Sequence, residues 1–175
     1  MRGNKSIKLT GNEERLNANV VVAFEYRYYT QFTPDSKKYY SGIKFFSLSS
    51  QEIISYPKIH YDNAVDKDKR TKGFFKYFVR IFKNMNMALV ASGHITNSLA
   101  KPYFLESLVY NVPDELFLEG NFQNRMVKIL NFLQSADLGN FETVCGGHWL
   151  CEGNQWNIAQ AREFVGALIN YWNSS

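Results

Sequence analysis

At Pro57 the chain changes its hydrophobic rhythm, and that change limits what it can fold into. Before it, apolar, β-branched and aromatic residues come in short runs, Ile7-Lys8-Leu9, Val20 to Tyr29, Ile43 to Leu48 and Ile53-Ile54, which read as strands. Thr33-Pro34-Asp35-Ser36-Lys37-Lys38 has the composition of a hairpin loop, and Ser49-Ser50-Gln51-Glu52 that of a tight connection. After Pro57, apolar residues recur with helical period over Asp62 to about Gly93, Tyr103 to Asn111, Phe122 to Gln134 and Ile158 to Trp172. Pro102 and Pro113 bracket the second of these helices. Asn157 is placed to cap the last, whose apolar face is Ala161, Phe164, Val165, Leu168 and Trp172. Strands followed by helices, rather than alternating with them, predict an α+β chain: a small antiparallel sheet over residues 1–56, then a helical lobe over residues 57–175, in one compact unit.

Composition narrows the class further. With 14 Phe and 11 Tyr in 175 residues the chain carries enough apolar mass for a packed core, which argues against disorder. Met1-Arg2-Gly3-Asn4-Lys5 is not followed by an apolar leader, and no run approaches the roughly 18 apolar residues of a membrane span, so the expected location is the cytoplasm. Cys145 and Cys151, the two cysteines, are too few for a disulfide framework. The net charge of +4 permits anionic partners without requiring them, so the placement of the charges matters more than their sum.

That placement is informative between Lys69 and Met85. At about 100° per residue, Lys69, Lys72, Arg80 and Lys83 all fall within about 40° of Lys76, whereas Phe74, Phe78, Ile81 and Met85 cluster on the opposite side. Cations repeated at i,i+4 repel one another by a few tenths of a kcal/mol per pair, a cost that a bound anion offsets. Periodicity leaves open a solvated face, local pairing with Asp66 or Asp68, and a polyphosphate-binding surface. General nucleic-acid binding would give steep salt dependence with little base preference, and is not the expected mode.

Tyr56-Pro57-Lys58-Ile59-His60-Tyr61-Asp62-Asn63-Ala64-Val65, then Arg70-Thr71-Lys72-Gly73 with Phe75-Lys76-Tyr77-Phe78-Val79-Arg80-Ile81-Phe82-Lys83, then Pro102 to Pro113 form segments that resemble bacterial nucleotidyltransferases of the cyclic-oligonucleotide synthase family, relatives of cyclic GMP-AMP synthase. The stretch Gly3 to Tyr29 is similar to the family's late catalytic strands, so the likeness covers nearly the whole chain but only the second half of the family's length. It implies a partial nucleotidyltransferase palm followed by a C-terminal helical lobe, and ancestry in synthesis of cyclic signals for antiviral defence. Members begin with a Gly-Ser loop for the triphosphate and an Asp-x-Asp pair for two magnesium ions, and neither has a counterpart in these 175 residues. The third metal-binding acid of the family matches Asn19, and a neutral amide supplies neither charge nor basicity. The expectation is therefore a truncated or degenerate unit in which Mg2+ is doubtful and autonomous catalysis is lost. By the same resemblance, Lys76, with Arg80, Lys83 and Lys72 beside it, is expected to face the phosphates of ATP or GTP, and Tyr103 to stack on the base, with Pro102 where the family has a serine. A second expectation is a non-enzymatic interaction protein whose exposed sheet edge pairs with a partner chain or a second copy.

Other residue patterns carry less. Cys145, His148 and Cys151 have the spacing C-x2-H-x2-C, with Gly146-Gly147 able to wrap a tetrahedral ion, and His94, Glu142 or Glu152 as a possible fourth ligand. An ordinary loop explains the same residues. His60, at the junction of strands and helices, reads as a structural histidine rather than an acid-base catalyst.

Overall fold

The computed structural model describes residues 5–152 and 156–174. They run as five strands followed by five helices: β1 (Ile7–Leu9), β2 (Ala18–Val20), β3 (Phe24–Phe32), β4 (Lys37–Phe46), β5 (Glu52–Ser55), α1 (Pro57–Arg70), α2 (Phe74–Ala91), α3 (Pro102–Tyr110), α4 (Phe122–Ser135) and α5 (Ile158–Ser174). Short 3₁₀ turns occupy Asp114–Phe117 and Leu138–Asn140. The strands-then-helices order of an α+β chain is thus observed. The chain divides between His60 and Tyr61 into two compact units, not one.

The first unit holds two small antiparallel sheets, β1-β2 and β3-β4-β5. The apolar run from Val20 to Tyr29 is not a single strand: Val20 closes β2 against Ile7, and β3 starts at Phe24 against Lys44. The chain changes sheets across Val21 to Ala23, a switch that unbroken β-branched composition conceals. β4 begins at Lys37, opposite Phe32, six residues ahead of the apolar run, because the β3 ladder rather than its own hydrophobicity sets its register. The turn between them closes with Thr33 N–H on Ser36 O at 2.8 Å. Gly42 is required where it stands: an added Cβ would lie 2.7 Å from a carbon of the Tyr56 ring, which packs edge-on to Tyr26.

The second unit contains the core. Among the described residues every buried apolar side chain lies between Ala64 and Leu168. On α2, Phe75, Phe78, Val79, Phe82, Met85 and Leu89 are buried, so its core stripe is rotated from the one expected: Phe78 and Met85 belong to it, whereas Phe74 and Ile81 lie at its margin. Each buried Phe contributes about 1.5–3 kcal/mol of apolar transfer. α5 is capped as its sequence predicts, by a reciprocal pair in which Gln160 N–H donates to Asn157 Oδ1 at 2.9 Å and Asn157 N–H to Gln160 Oε1 at 3.2 Å.

The helix expected from Asp62 to Gly93 is two helices. Lys72 and Gly73 both adopt left-handed backbone, at φ 53° and 85°, and Gly73 N–H donates to Asp68 O at 2.8 Å, which ends α1. Thr71, fully buried, then starts α2 by accepting Phe75 N–H on its hydroxyl at 3.0 Å, while Asp68 Oδ1 accepts Lys76 N–H at 3.0 Å. Within the second unit, α1 is tied to the segment Val112–Asp114 by a partly buried ion cluster. Lys67 Nζ donates to Val112 O at 2.6 Å and pairs with Asp114, whose other carboxylate oxygen accepts from Arg70 Nε at 2.6 Å.

Candidate functional site

The break at Thr71–Gly73 removes two members from the cationic row. Lys69 belongs to α1 and pairs with Asp66 at 3.7 Å, and Lys72 sits in the left-handed turn, off any helix. Lys76, Arg80 and Lys83 remain together on α2, spaced by four and three residues and so on one face. The two ends of that row are held by carboxylates, Lys76 by Asp68 at 3.5 Å and Lys83 by Glu106 at 3.6 Å. Arg80, between them, is exposed and makes no ion pair among the described residues. Because Lys83 lies nearest the core stripe, it is half-buried.

Glu106 is on α3, one turn beyond Tyr103, so the Lys83–Glu106 pair links the cationic row to the helix that carries the expected base-stacking residue. Tyr103 follows Pro102 at the first turn of α3, where a proline is tolerated because its missing N–H has no helical partner. Tyr103 is 38% exposed, and its ring is nearly parallel to Trp156, with centroids 6.2 Å apart and planes at 19°. The Tyr103 hydroxyl donates to Cys145 Sγ at 3.7 Å. Burial pushes that phenol up to about 12, with Thr143 opposing and Cys145 adding to the shift, so at neutral pH it stays protonated and serves as a donor and a flat surface.

Cys145 is brought there by a short hairpin in which Glu142 faces Trp149. Three side chains clamp it: Asn63 Nδ2 donates to Val144 O at 2.8 Å, Ser107 Oγ accepts Val144 N–H at 3.3 Å, and the Asn111 amide bonds both the carbonyl and the N–H of Glu142, at 2.7 and 2.9 Å. These anchors, together with Glu106 and Trp156, were not legible as site residues. The spacing of Asn63, Ser107 and Asn111 along two helices carries no periodic signal for a loop over thirty residues away.

The zinc arrangement does not form. Cys145, at the hairpin tip, faces Tyr103, whereas Cys151 comes after the second arm, and among the described residues no three of His, Cys, Asp or Glu gather to hold a metal. Burial raises the Cys151 thiol, which keeps it protonated. Asn19 lies in β2, exposed, with Lys8 directly across the ladder. A neutral amide in cross-strand register with a lysine does not fit a magnesium site, so these residues do not hold the ion that the resemblance implies. His60 lies in the first turn of α1, its N–H on Tyr56 O at 2.9 Å. No described helix is long and apolar enough to cross a membrane.

Residues 62–173 match the family model of the cGAS/DncV-like nucleotidyltransferase C-terminal helical domain. The chain belongs to the cGAS/DncV-like nucleotidyltransferases. Among members of that family, it is 39% identical to a cyclic nucleotide synthase of Staphylococcus haemolyticus over 98% of this chain and 59% of the relative. It is 39% identical to a cyclic dipurine nucleotide synthase of Elizabethkingia meningoseptica over 98% of this chain and 58% of the relative. The Rhodothermus marinus c-UMP-AMP synthase, solved with Apcpp and Upnpp, superposes with a TM-score of 0.88 at 34% identity, covering 99% of this chain and 59% of that one. The E. meningoseptica enzyme, solved with GTP and Apcpp, superposes with a TM-score of 0.87 at 32% identity, covering 98% and 64%. The chain thus spans about three-fifths of the length of these cGAS/DncV-like relatives.

Proposed function

We propose that this chain supplies the phosphate- and base-facing surface of a cyclic-oligonucleotide synthase, and that residues 1–175 do not by themselves carry out nucleotidyl transfer. The observation that supports the reading most is the α2 row of Lys76, Arg80 and Lys83 beside Tyr103, linked to it through Glu106. Arg80 is the strongest phosphate contact in this arrangement, since its planar fork suits phosphate oxygens and no carboxylate engages it among the described residues. Lys76 and Lys83 add charge once a polyphosphate draws them from Asp68 and Glu106. The ligands are nucleoside triphosphates, in keeping with the GTP and triphosphate analogues in the relatives' structures. Calorimetric titration of ATP and GTP into the 175-residue chain tests this, with a Lys76→Ala/Arg80→Ala variant alongside. Saturable binding that the variant loses supports the surface; equal binding by both chains refutes it.

A second reading, an interaction protein completed by another polypeptide, is favoured by a separate observation. Phe24, Tyr28, Phe32, Tyr40, Phe46 and Val22 are all at least 53% exposed, and among the described residues β3 pairs on one side only. An open edge beside uncovered aromatic residues suits an added strand. Sedimentation over a wide concentration range reads it directly: a constant monomer mass excludes self-pairing as the occupant.

A further inference from the structure

We propose that the open edge of β3 pairs with the same edge of a second copy of this chain, antiparallel and centred on Tyr26, to give a two-fold dimer. The inference rests on the second reading above and adds to it the occupant and the register.

The edge is short and both its ends are defined. It begins at Phe24, where the chain arriving from β2 joins the β3-β4-β5 sheet, and its regular part ends at Tyr29, because the β3-β4 ladder shifts between Tyr29 and Gln31. Phe24-Glu25-Tyr26-Arg27-Tyr28 holds neither the proline nor the lysine that commonly guards a natural edge, and the charges of Glu25 and Arg27 cancel. Phe24, Glu25, Arg27 and Tyr28 are all exposed, the two rings at 70% and 54%.

Geometry restricts how such an edge can meet itself. Only alternate residues of a strand point their N–H and C=O towards a given edge, and residues directly opposite in an antiparallel ladder both point towards each other or both away. Two copies of one strand therefore pair about a residue, not about the bond between two. Centring on Glu25 sets that carboxylate against its own copy, and centring on Arg27 does the same with guanidinium groups; like charges directly opposite destabilise a ladder. Centring on Phe24 or Tyr28 runs off the regular stretch. Centring on Tyr26 sets Glu25 opposite the partner's Arg27 twice over, and Phe24 opposite the partner's Tyr28 twice over. The charged pairs share one face. Arg27 Nε already donates to Glu25 at 2.8 Å within the chain, so two copies close a ring of four alternating charges. The aromatic pairs share the other face, that of Tyr26, against which the Tyr56 ring packs edge-on. The pattern is its own complement about a two-fold axis, which a foreign strand would not require, and that makes a second copy the occupant.

The test is sedimentation of the full chain at concentrations up to about 1 mM, with thermal melts to confirm folding. The wild type should pass from monomer to dimer within that range, as suits a small interface. Glu25→Arg and Arg27→Glu, taken singly, should each weaken the dimer by about tenfold or more, since each sets like charges opposite one another twice. Mixing the two variants should restore association to within about threefold of the wild type, because every reversed side chain then meets an unlike charge, and the Glu25→Arg/Arg27→Glu double variant should dimerise by itself. A wild type that stays monomeric overturns the inference and leaves the second reading to a different polypeptide. Single variants that dimerise as tightly as the wild type, or weakened ones that mixing does not rescue, overturn it too, by removing the register. Amide hydrogen exchange of the wild type supplies the second measurement. Protection of every second amide from Phe24 to Tyr28 that rises with concentration supports the inference even where a charge variant fails to fold, and its absence overturns it. Full protection of those amides in the dilute monomer would mean an edge covered within the chain, and would overturn the second reading as well.

Discussion

Replacing Asp114 by alanine should be the most damaging single change outside the apolar core. Lys67 is 5% exposed, with its ammonium held between Asp114 Oδ1 at 2.5 Å and Val112 O at 2.6 Å and facing the Tyr110 and Phe117 rings. Burial lowers the Lys67 ammonium below its ordinary 10.5 in spite of the pairing. Asp114 is also penalised by burial, but hydrogen bonds from Lys67 and Arg70 outweigh that and hold it below its ordinary 3.8. Removing the carboxylate strands a desolvated cation, for which about 3–5 kcal/mol is typical. With Asp114 itself 30% exposed we take the lower end, about 3 kcal/mol. For a chain of this size that is a fall in Tm of about 6–12 °C, read by thermal or urea unfolding. The pH dependence has a definite sign. A lysine whose folded pKa is depressed sheds its proton in the folded state first, so stability is gained as pH rises through that depressed value towards 10.5. Without Asp114 the value drops further, and the variant's deficit should shrink between neutral pH and about pH 9.5. Asp114 contributes a dependence of the same sign in the acid range, its stabilisation present above 3.8 and lost as pH falls through its depressed value. A Lys67→Met/Asp114→Leu double variant should recover most of the loss, since an apolar pair does not pay desolvation. A deficit under about 1 kcal/mol, or one that grows with pH, would show that Lys67 is solvated and refute the reasoning.

Three further outcomes follow from the site and its supports. Gly73→Ala should cost about 1–2 kcal/mol by urea unfolding, all of it from the left-handed backbone at φ 85°, because an added Cβ meets nothing within 4 Å; a loss under about 0.3 kcal/mol would mean that the turn between α1 and α2 rearranges freely. Tyr103→Ala should weaken ATP by about fivefold or more while leaving pyrophosphate within about twofold in the same calorimetric assay, and equal losses would count against base stacking. Asn19→Asp should bring no nucleotide-polymerising activity and no measurable Mg2+ binding by titration, because Lys8 stays opposite in the ladder and among the described residues no three of His, Cys, Asp or Glu gather to hold a metal; activity gained by this one change would show that the metal site is otherwise complete.

The sequence was a good guide wherever one interaction dominated locally. α3, α4 and α5 were legible because apolar periodicity agreed with local punctuation: Pro102 at the start of one, Asn157 capping another. It was a poor guide where tertiary pairing overrode composition. Nothing in Val20 to Tyr29 announces that β2 and β3 serve different sheets, and the polar first half of β4 is a strand only because β3 templates it. The break between α1 and α2 was present as Thr71-Lys72-Gly73, a stop signal followed by a start signal, but uninterrupted helical period on either side masked it. The same masking inflated the cationic row from three residues to five. Of the candidate site, Lys76, Arg80, Lys83 and Tyr103 could be named because a charge pattern and a family likeness mark them. Trp156 and Glu106 could not, since their relation to Tyr103 arises from the packing of α3 against its neighbours.

How burial is distributed also separates the two proposed roles. The residues offered to a nucleotide all lie after residue 61, in the unit that contains every buried apolar side chain of the described residues. The exposed residues offered to a partner, Val22, Phe24, Tyr28, Phe32, Tyr40 and Phe46, lie before it, in a unit whose sheets have only two and three strands. The two surfaces therefore differ in what supports them: the α2 row and Tyr103 are preorganised by the core, whereas the open β3 edge depends on whatever covers it. A partner that adds a strand to β3 should raise the stability of the β3-β4-β5 sheet without changing tripolyphosphate affinity, and the Lys76→Ala/Arg80→Ala variant should lose the ligand without losing such a partner. If both properties vanish together in either experiment, the sheets and the cationic row form one functional surface, and the division between a self-supporting nucleotide site and a partner-dependent sheet is wrong.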